Sequence, residues 1–403
     1  MFFNKQIFIS TALIFFLIYD FGLLILPGLT TGRLIFILLC LFQIFIQKTF
    51  VVNKKLHVLL SVFLLIFLAS LIQFMNSMES TQISRLFWFT IYSIITPFFL
   101  MNIFKTSIDF LYAFFLATII QSIFTIYSFF NPEFKQFILS VIAVGGNDSI
   151  KEGFRAIGLS SSSGAAFSMI QFCGVFSGLL LLKYNKRSVF ESIFIVLSIV
   201  IVLLSTLLIG RTGLICSLVS IIYFSVLNIN FKKILFNLVI IFLIGQINFI
   251  GIIEKQTESI QGFNIEFFKN WIEDGFELED NSTTKAIQQM PIPPLTINTI
   301  LGTGEIKNEE RNGNASGHDS GYIQTYYSLG IVLTLIFYIS YFVFLISITK
   351  MKNVNFILFF ILILFLTENK EPFIFKYIMP LYLLTLILLC NKERIDLYKI
   401  NKI

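Results

Sequence analysis

The sequence predicts an all-α polytopic membrane protein with about 12 transmembrane helices, one large loop outside the cytoplasm and both termini inside it. Hydrophobic residues make up 56% of the 403 residues and charged residues 13%, with a mean hydropathy of +0.86. In soluble proteins about a quarter of the residues are charged. The apolar residues form runs close to the roughly 20 residues that a helix needs to cross a bilayer. Lys and Arg are concentrated in alternate short loops, which is the pattern that orients membrane spans.

Taken in order, the apolar runs predict spans at residues 6–26, 33–52, 56–74, 86–104, 108–130, 165–183, 189–209, 213–229, 234–252, 321–348, 354–367 and 377–390. We expect the first run to remain as a span, because it is longer than the core of a signal peptide and lacks a small-residue cleavage site. The last two runs hold only about 14 residues each and are separated by charged residues. Two short spans there keep the basic C-terminal tail inside, one long crossing would put it outside, and a re-entrant pair is an alternative.

The distribution of charge orients these spans. With the N-terminus inside, the cytoplasmic segments hold 16 of the 29 basic residues and four of the 23 acidic residues. We therefore interpret the net charge of +6 as the cytoplasmic Lys/Arg excess, and nucleic-acid binding is not predicted. The chain then divides into helices over residues 1–250, a large outward loop over 251–320, and C-terminal helices with a short cytoplasmic tail over 321–403.

Small residues inside the predicted spans indicate helix packing rather than chemistry. Gly174 and Gly178 form a GxxxG spacing, which lets helix backbones approach closely. The four cysteines all lie within apolar runs and none has a CxxC spacing, so the sequence supports neither a disulfide framework nor a zinc site.

Two arginines on the outward side are candidate anion ligands. Arg211 lies in the sequence GRTG, a tight break between two predicted spans. A charge at the membrane boundary costs on the order of 3 kcal/mol unless it is paired or hydrated, and a planar guanidinium suits a diphosphate bidentately. The alternative is that Arg211 snorkels to lipid headgroups. Arg155, in GFRAIGLSS, has glycines and hydroxyls beside it, and with Arg211 it would form a diphosphate clamp.

The end of the long loop, HDSGYIQTYY, holds the second group of candidates. His318 and Asp319 precede a predicted helix whose N-terminal dipole favours an anionic side chain or a bound phosphate. We expect Asp319 or Ser320 to cap this helix, and a carboxylate or imidazole there could take a proton from a hydroxyl group. Tyr322 and Tyr326 lie partly on one helical face, where core packing and substrate contact are equally supported.

The acidic residues of the long loop do not predict a metal site. Between residues 254 and 319 the loop holds 12 acids and five basic residues, but no spacing that demands a metal and no Asp-x-Asp pair. We interpret the loop as a solvated cover, and no metal or other cofactor is predicted.

The chain resembles the O-antigen polymerase and O-antigen ligase superfamily of bacterial envelope enzymes. The resemblance rests on about a dozen spans, one large outward loop late in the chain, GRTG opening a span before it, and HDSGYIQTYYSLGIVL closing it. In the ligases a His followed by Asn, Ser or Gln, nine free positions and a Gly marks the catalytic end of that loop. Here the same spacing from Ser320 to Gly330 puts Asp319, not His318, at the His position. This departure favours the polymerase branch and leaves open which of the two neighbours is the base.

The resemblance implies a metal-independent glycosyltransferase that polymerises undecaprenyl-diphosphate-linked repeat units into O-antigen or capsular polysaccharide. The reaction would take place on the periplasmic face of the bacterial inner membrane, with a chain-length regulator and a flippase as membrane partners. Arg211, Asp319 and His318 would be catalytic, and Arg155, Arg211, Tyr322 and Tyr326 would bind substrate.

Two alternatives stay open. One is a ligase that moves a finished glycan to another lipid, and the other is a flippase or transporter of lipid-linked oligosaccharides. Transporters usually place charges inside helices near the midplane and have repeated halves. Here only Asp20 qualifies as such a charge, and no internal repeat is found.

Overall fold

A computed structural model describes residues 5–26, 28–47, 54–144, 156–184, 188–227, 290–308, 313–349 and 354–400. The chain divides into two compact units. Unit 1 comprises Met1–Leu38 and Ile108–Leu278, and unit 2 comprises Leu39–Ser107 and Glu279–Ile403.

The described residues are mostly helical. Numbered in chain order, the helices are α1 (Lys5–Tyr19), α2 (Thr31–Phe42), α3 (Lys54–Ser77), α4 (Thr81–Phe89), α5 (Thr96–Ile103), α6 (Ser107–Phe130), α7 (Pro132–Val141), α8 (Gly164–Tyr184), α9 (Val189–Ile209), α10 (Arg211–Leu227), α11 (Ile297–Leu301), α12 (Gly321–Leu329), α13 (Ile331–Ile348), α14 (Val354–Thr367) and α15 (Ile378–Ile400). A π-helical segment, Thr90–Ile95, joins α4 and α5 without a break, and another, Gln43–Gln47, follows α2.

Two short antiparallel ladders complete the secondary structure of the described residues. In unit 1, β1 (Gly22–Leu23) pairs with β2 (Ile142–Ala143). In unit 2, β3 (Lys307–Asn308) pairs with β4 (Gly313–Asn314).

Six helices in the described part of the chain are long and apolar enough to cross a membrane. They are Lys54–Ser77, Thr81–Ile103, Ser107–Phe130, Gly164–Lys183, Val189–Ile209 and Ile331–Ile348. Four shorter apolar helices accompany them. The described residues therefore support a helical membrane protein. The predicted span at 234–252 and residues 251–289 of the predicted loop lie outside the described residues.

The predicted span at residues 6–26 is wrong in its second half. Helix α1 ends at Tyr19, and Asp20 adopts a left-handed backbone conformation with φ of 36°. The Asp20 carboxylate accepts a hydrogen bond from the Gly32 amide at 2.8 Å, and the chain then enters β1. The polar Asp20 side chain thus forms part of a turn rather than a helical span.

The predicted helix at 321–348 is also broken, because Gly330 interrupts it between α12 and α13. Gly330 has φ of +86°, a conformation that glycine adopts without a steric penalty. A Cβ atom on Gly330 would lie 2.4 Å from the carbonyl oxygen of Ile300, so the backbone of α11 occupies that space. The hydropathy of the run shows only that it is apolar, and not that two backbones meet at this glycine.

The last two predicted spans are two separate helices, as the sequence indicates. Helix α14 ends at Thr367 and α15 begins at Ile378, with a turn between them. Residues predicted as a short tail continue α15 as far as Ile400.

Several glycines of unit 1 lie where neighbouring helices pack too closely for a larger side chain. A Cβ atom on Gly174 would lie 2.2 Å from Oγ1 of Thr118, and one on Gly178 would lie 2.8 Å from Cγ1 of Ile199. The prediction that this GxxxG pair serves helix packing is confirmed. The GRTG break is tighter still, because a Cβ atom on Gly213 would lie 2.0 Å from the carbonyl oxygen of Ser168.

We expect the Gly213→Ala variant to lower the free energy of unfolding by about 1–3 kcal/mol, the usual cost of forcing an extra methyl group into a packed interior. Thermal unfolding of the purified protein in detergent measures this change. Gly22→Ala is the matched control, because a Cβ atom there would make only an ordinary contact of 3.5 Å with Thr30. Equal melting temperatures for the two variants would contradict the close approach at Gly213.

Candidate functional site

The candidate site in unit 2 is built on the segment Gly302–Gly330, which closes the long polar loop. Its first residues turn back along α12, where the amides of Thr303 and Gly304 donate to the carbonyls of Tyr327 and Ser328 at 3.0 and 2.9 Å. The Gln73 side chain on α3 donates to the carbonyls of Leu301 and Leu329 at 2.7 and 3.0 Å. The segment is therefore hydrogen-bonded to a long apolar helix of its own unit.

Glu79, between α3 and α4, also holds this segment. Its carboxylate accepts from the amides of Thr81 at 2.7 Å and Ile306 at 2.8 Å. Partial burial alone would raise the pKa of Glu79, but hydrogen bonds from Thr81, Ile306 and Lys307 to the charged form outweigh it and lower the pKa. An ionised Glu79 thus joins the start of α4 to the loop segment.

His318 is buried and its ring is fixed. The residue is 6% exposed, and its Nδ1 accepts a hydrogen bond from the Ser320 amide at 3.0 Å. An Nδ1 that accepts a hydrogen bond carries no proton, so the neutral ring carries its proton on Nε2. In this arrangement His318 presents an N–H donor rather than a basic nitrogen.

Asp319 differs from His318 in exposure. Its side chain is exposed, and Oδ1 accepts one hydrogen bond from Nδ2 of Asn314 at 3.0 Å. Its carbonyl accepts from Nε2 of Gln324 at 2.9 Å, which ties the residue to α12. A carboxylate with one hydrogen bond has further lone pairs available to accept a proton or a hydroxyl group.

The cap of α12 differs from the prediction. Ser320 occupies the N-cap position, but its side chain makes no capping hydrogen bond. The amide of Gly321 instead donates to the carbonyl oxygen of Glu368 at 2.8 Å. The start of α12 is therefore satisfied by the turn between α14 and α15, which lies almost 50 residues further along the chain and cannot be found from local sequence.

Glu368 is the most completely buried acid of the described residues. It is 0% exposed, and its Oε1 accepts from the Tyr338 hydroxyl at 2.7 Å while Oε2 accepts from the Ile374 amide at 2.7 Å. A Cβ atom on Gly321 would lie 2.3 Å from Oε1, so only glycine fits beside this carboxylate. Burial raises the pKa of Glu368 to about 7, against the opposing effects of its two hydrogen bonds and of the nearby positive charge of Arg85.

Two hydroxyl groups connect Glu368 to Arg85. The Tyr338 hydroxyl lies 3.1 Å from Oγ1 of Thr325, and this oxygen accepts from Nη2 of Arg85 at 2.9 Å. The Arg85 guanidinium also lies over the ring of Phe375, 3.6 Å from its centroid, in cation–π contact. We call Arg85, Thr325, Tyr338 and Glu368 the buried polar chain. It links α4, α12, α13 and the turn after α14.

The two predicted tyrosines have different surroundings. The Tyr322 hydroxyl donates to the carbonyl of Phe365 at 2.8 Å, and its ring centroid lies 4.6 Å from that of Tyr338. Tyr322 therefore makes packing contacts that support α12. The Tyr326 hydroxyl is buried and has no hydrogen-bond partner among the described residues.

The predicted site residues are divided between the two units. His318, Asp319, Tyr322 and Tyr326 belong to unit 2, whereas Arg211 is the first residue of α10 in unit 1. The GRTG break itself is confirmed, because α9 ends at Ile209 and Gly210 is extended. Arg155 lies outside the described residues, so the predicted clamp of Arg155 with Arg211 stays a prediction.

Sequence reasoning missed Arg85 and Glu368. The predicted span began at residue 86, which left Arg85 in a loop, but the helix begins at Thr81 and includes it. In the sequence, Glu368 is only one of the charged residues that separate the last two predicted spans. The available signal was a charge directly beside a long apolar run, but hydropathy does not show that two such charges, 283 positions apart, meet through side chains. Within the described ranges, no group of three or more His, Cys, Asp or Glu residues could hold a metal ion.

The chain matches no protein-family model, and comparisons with curated proteins and with solved structures return no match.

We expect Glu368→Gln to change how stability depends on pH. A buried carboxyl whose folded pKa is raised to about 7 contributes stability at pH values below its unfolded pKa of about 4.5, and this contribution is lost as the pH rises through 7. Replacing Glu368 by Gln removes that loss, which is on the order of 3 kcal/mol. At each pH, the free energy of unfolding of the variant is compared with that of the unchanged protein. This difference should be more favourable to the variant at pH 8 than at pH 5.

Chemical unfolding of the purified protein at the two pH values measures this effect. Glu371→Gln is the matched control, because that partly exposed carboxylate pairs with Lys376 instead. The account of Glu368 is contradicted if the stability difference between variant and unchanged protein is the same at both pH values.

Proposed function

We propose that this protein is a metal-independent glycosyltransferase that joins oligosaccharide repeat units carried on polyprenyl diphosphate. In this proposal it acts as a polysaccharide polymerase of the O-antigen or capsule type, at the periplasmic face of the bacterial inner membrane, with about 12 spans and the loop 251–320 outside the cytoplasm. The resemblance of the GRTG and HDSGYIQTYYSLGIVL segments to that superfamily supplies the substrate class.

One observation carries the proposal. An exposed carboxylate, Asp319, follows a buried imidazole, His318, on a segment whose backbone is held by Gln73 of the membrane-type helix α3 and by Glu79 just after it. Catalytic groups are effective when they are held by rigid elements and when the reacting group reaches the substrate. The end of the long loop is held in this way, and the exposure of Asp319 supports its access to a substrate.

The reaction transfers one glycan to another without an external energy source. A hydroxyl group at the non-reducing end of the incoming unit attacks the anomeric carbon of the growing chain. The new carbon–oxygen bond replaces the bond to the diphosphate, whose electron pair leaves with polyprenyl diphosphate. The hydroxyl proton passes to Asp319. Diphosphate is a stable leaving group, and arginines that stabilise its charge remove the need for an acid.

The geometry favours Asp319 over His318 as the base. Nδ1 of His318 already accepts the Ser320 amide, so the ring would have to turn before it could take a proton there. In its observed position His318 would instead donate a hydrogen bond through Nε2 to a substrate oxygen. We assign Asp319 as the base and His318 as the group that orients the attacking hydroxyl or the leaving phosphate, with Arg211 and Arg155 as diphosphate ligands.

Surface polysaccharide from a deletion strain, separated on a gel with and without the gene restored, tests this function. A polymerase deletion should leave surface glycan one repeat long, and the restored gene should return the full ladder. Full-length polymer that stays on its carrier lipid would instead identify a ligase. Loss of all exported repeat units would identify a flippase.

The same gel distinguishes the roles of Asp319 and His318. Asp319→Asn should shorten the ladder severely, since a general base contributes about 10²–10⁴-fold to a rate, whereas His318→Gln, which can still donate a hydrogen bond, should retain partial polymer. Glu133→Gln, an exposed acid at the start of α7, is the control and should give the normal ladder. A normal ladder from Asp319→Asn, in protein present at normal amounts, would remove Asp319 from the reaction.

A further inference from the structure

The part of unit 2 that leads into the candidate site exposes its apolar side chains. We call residues 290–301 the apolar segment; it includes α11. The side chains of Ile292, Leu295, Ile297 and Leu301 are 68–75% exposed, whereas Thr299 is the one buried residue of α11. Residues 290–304 contain no charged residue. A group of large exposed apolar side chains without charges is typical of a surface that contacts a partner or a membrane.

The apolar segment is fixed to the corner at which α12 meets α13. Nε2 of Gln73 donates to the carbonyl of Leu301 in α11 and to the carbonyl of Leu329 at the end of α12. A Cβ atom on Gly302 would lie 2.3 Å from the carbonyl carbon of Leu329, and one on Gly330 would lie 2.4 Å from the carbonyl oxygen of Ile300. The two backbones therefore meet, and α11 lies at the level of the first residues of α13.

Two membrane-type helices expose apolar side chains at this same level. On α13, Val332 and Leu335 are exposed within the first five residues of the helix. On α3, Ile72 and Met75 are exposed on either side of Gln73 in the sequence. The apolar outer surfaces of both helices thus extend along the chain as far as the residues that hold the apolar segment.

The length of α13 gives the depth of the apolar segment. This helix has 18 residues and is therefore about 27 Å long, close to the roughly 30 Å of hydrocarbon in a bilayer. If α13 crosses the membrane, its first turn lies near the edge of the hydrocarbon region. The apolar segment, which is held at that turn, then lies where acyl chains meet lipid headgroups.

The backbone of the apolar segment suits such a boundary. Unpaired backbone donors are costly in lipid, so irregular chain is tolerated there only when its polar groups are satisfied. Pro291, Pro293 and Pro294 have no amide hydrogen. The amide of Thr296 donates to Oγ1 of Thr299 at 2.9 Å, and that hydroxyl donates to the carbonyl of Pro294 at 2.7 Å. The inward side of the turn pairs its polar groups locally, while the apolar side chains extend outward.

We propose that the apolar segment is a membrane anchor that inserts its exposed side chains into the lipid leaflet on the side of the membrane where Asp319 lies. Elements of this kind bury their apolar face by about 5–10 Å at the boundary between headgroups and acyl chains. A leaflet meets all of these side chains at the depth that α13 sets, so we infer lipid rather than a second copy of the chain as the partner. The amide of Asp319 donates to the sulfur of Met290 at 3.5 Å, so the anchor also holds Asp319 level with the headgroups.

Collision rates of nitroxide spin labels test the proposal in the full-length protein, reconstituted in phosphatidylcholine and phosphatidylglycerol vesicles. The labels are attached to Ile297→Cys and, separately, to Leu295→Cys, in a background whose four native cysteines are replaced by Ala. Oxygen concentrates among acyl chains, whereas a nickel chelate stays in water. The ratio of oxygen to nickel collisions at both positions should be severalfold higher than at Lys307→Cys, an exposed position on β3. It should approach the ratio at Leu335→Cys on α13.

The other outcomes overturn the anchor. A ratio equal to that at Lys307→Cys, in variants that elute as the unchanged protein does on gel filtration, would place the apolar segment in water. Low collision rates with both reagents would show that protein covers it, and spectral broadening that disappears on dilution with unlabelled protein would identify a second copy. The inference does not depend on the proposed function, since these ratios are the same whether or not a deletion strain loses its surface polymer.

Discussion

A guanidinium and a carboxylate that are both enclosed in an apolar helical unit must be connected, because an isolated buried charge is far too costly to retain. In unit 2 this constraint is met through Thr325 and Tyr338, which bridge Arg85 and Glu368. Replacing one partner of such a pair is strongly destabilising, whereas replacing the whole group by apolar residues often is not. We therefore interpret the buried polar chain by what it positions rather than by stability alone.

The buried polar chain positions α12. The carbonyl of Glu368 satisfies the first amide of that helix, and its carboxylate lies against Gly321, where no side chain fits. Asp319 and His318 lie immediately before the helix, so their placement depends on contacts made by the turn after α14. Gln73 and Glu79 hold the preceding segment in the same way. Under the proposed function, these residues keep the loop end rigid, while Asp319 contacts the substrate.

The buried polar chain can form hydrogen bonds whether the Glu368 carboxyl is charged or protonated. When the carboxyl is charged, Tyr338 donates to it. When it is protonated, it can donate to Tyr338, Tyr338 to Thr325, and Thr325 to the carbonyl of Gly321, which it already contacts at 2.7 Å. Thr325 accepts from Arg85 in either case. In both states Tyr338 stays bonded to Glu368, and Thr325 stays bonded to Gly321 and Arg85, so α12 can stay in place while the local charge near Arg85 changes.

The apolar helices could be predicted because bilayer thickness fixes their length and composition, and α3, α6, α8 and α9 lie close to their predicted ranges. The points at which two of the predicted helices are interrupted could not be predicted. Asp20 ends α1 through a contact with Gly32, and Gly330 is fixed by the backbone of α11, neither of which leaves a mark in hydropathy.

For the site, the sequence indicated His318 and Asp319 because a polar motif precedes a helix there. It did not indicate Arg85 or Glu368, since their importance arises from burial and from partners distant in the chain. The structure was also needed to show that Asp319 is exposed and His318 is buried, because neighbouring residues lie in nearly the same stretch of sequence.

The proposed function requires the segment that carries Asp319 to lie outside the cytoplasm. Labelling of Asp319→Cys by a membrane-impermeant maleimide in intact spheroplasts tests it most directly, in a background whose four native cysteines are replaced by Ala. Lys54→Cys, exposed at the start of α3 and predicted to face the cytoplasm, is the comparison. The account predicts that Asp319→Cys is labelled in intact spheroplasts and Lys54→Cys only after lysis, whereas labelling of Asp319→Cys only after lysis would contradict it.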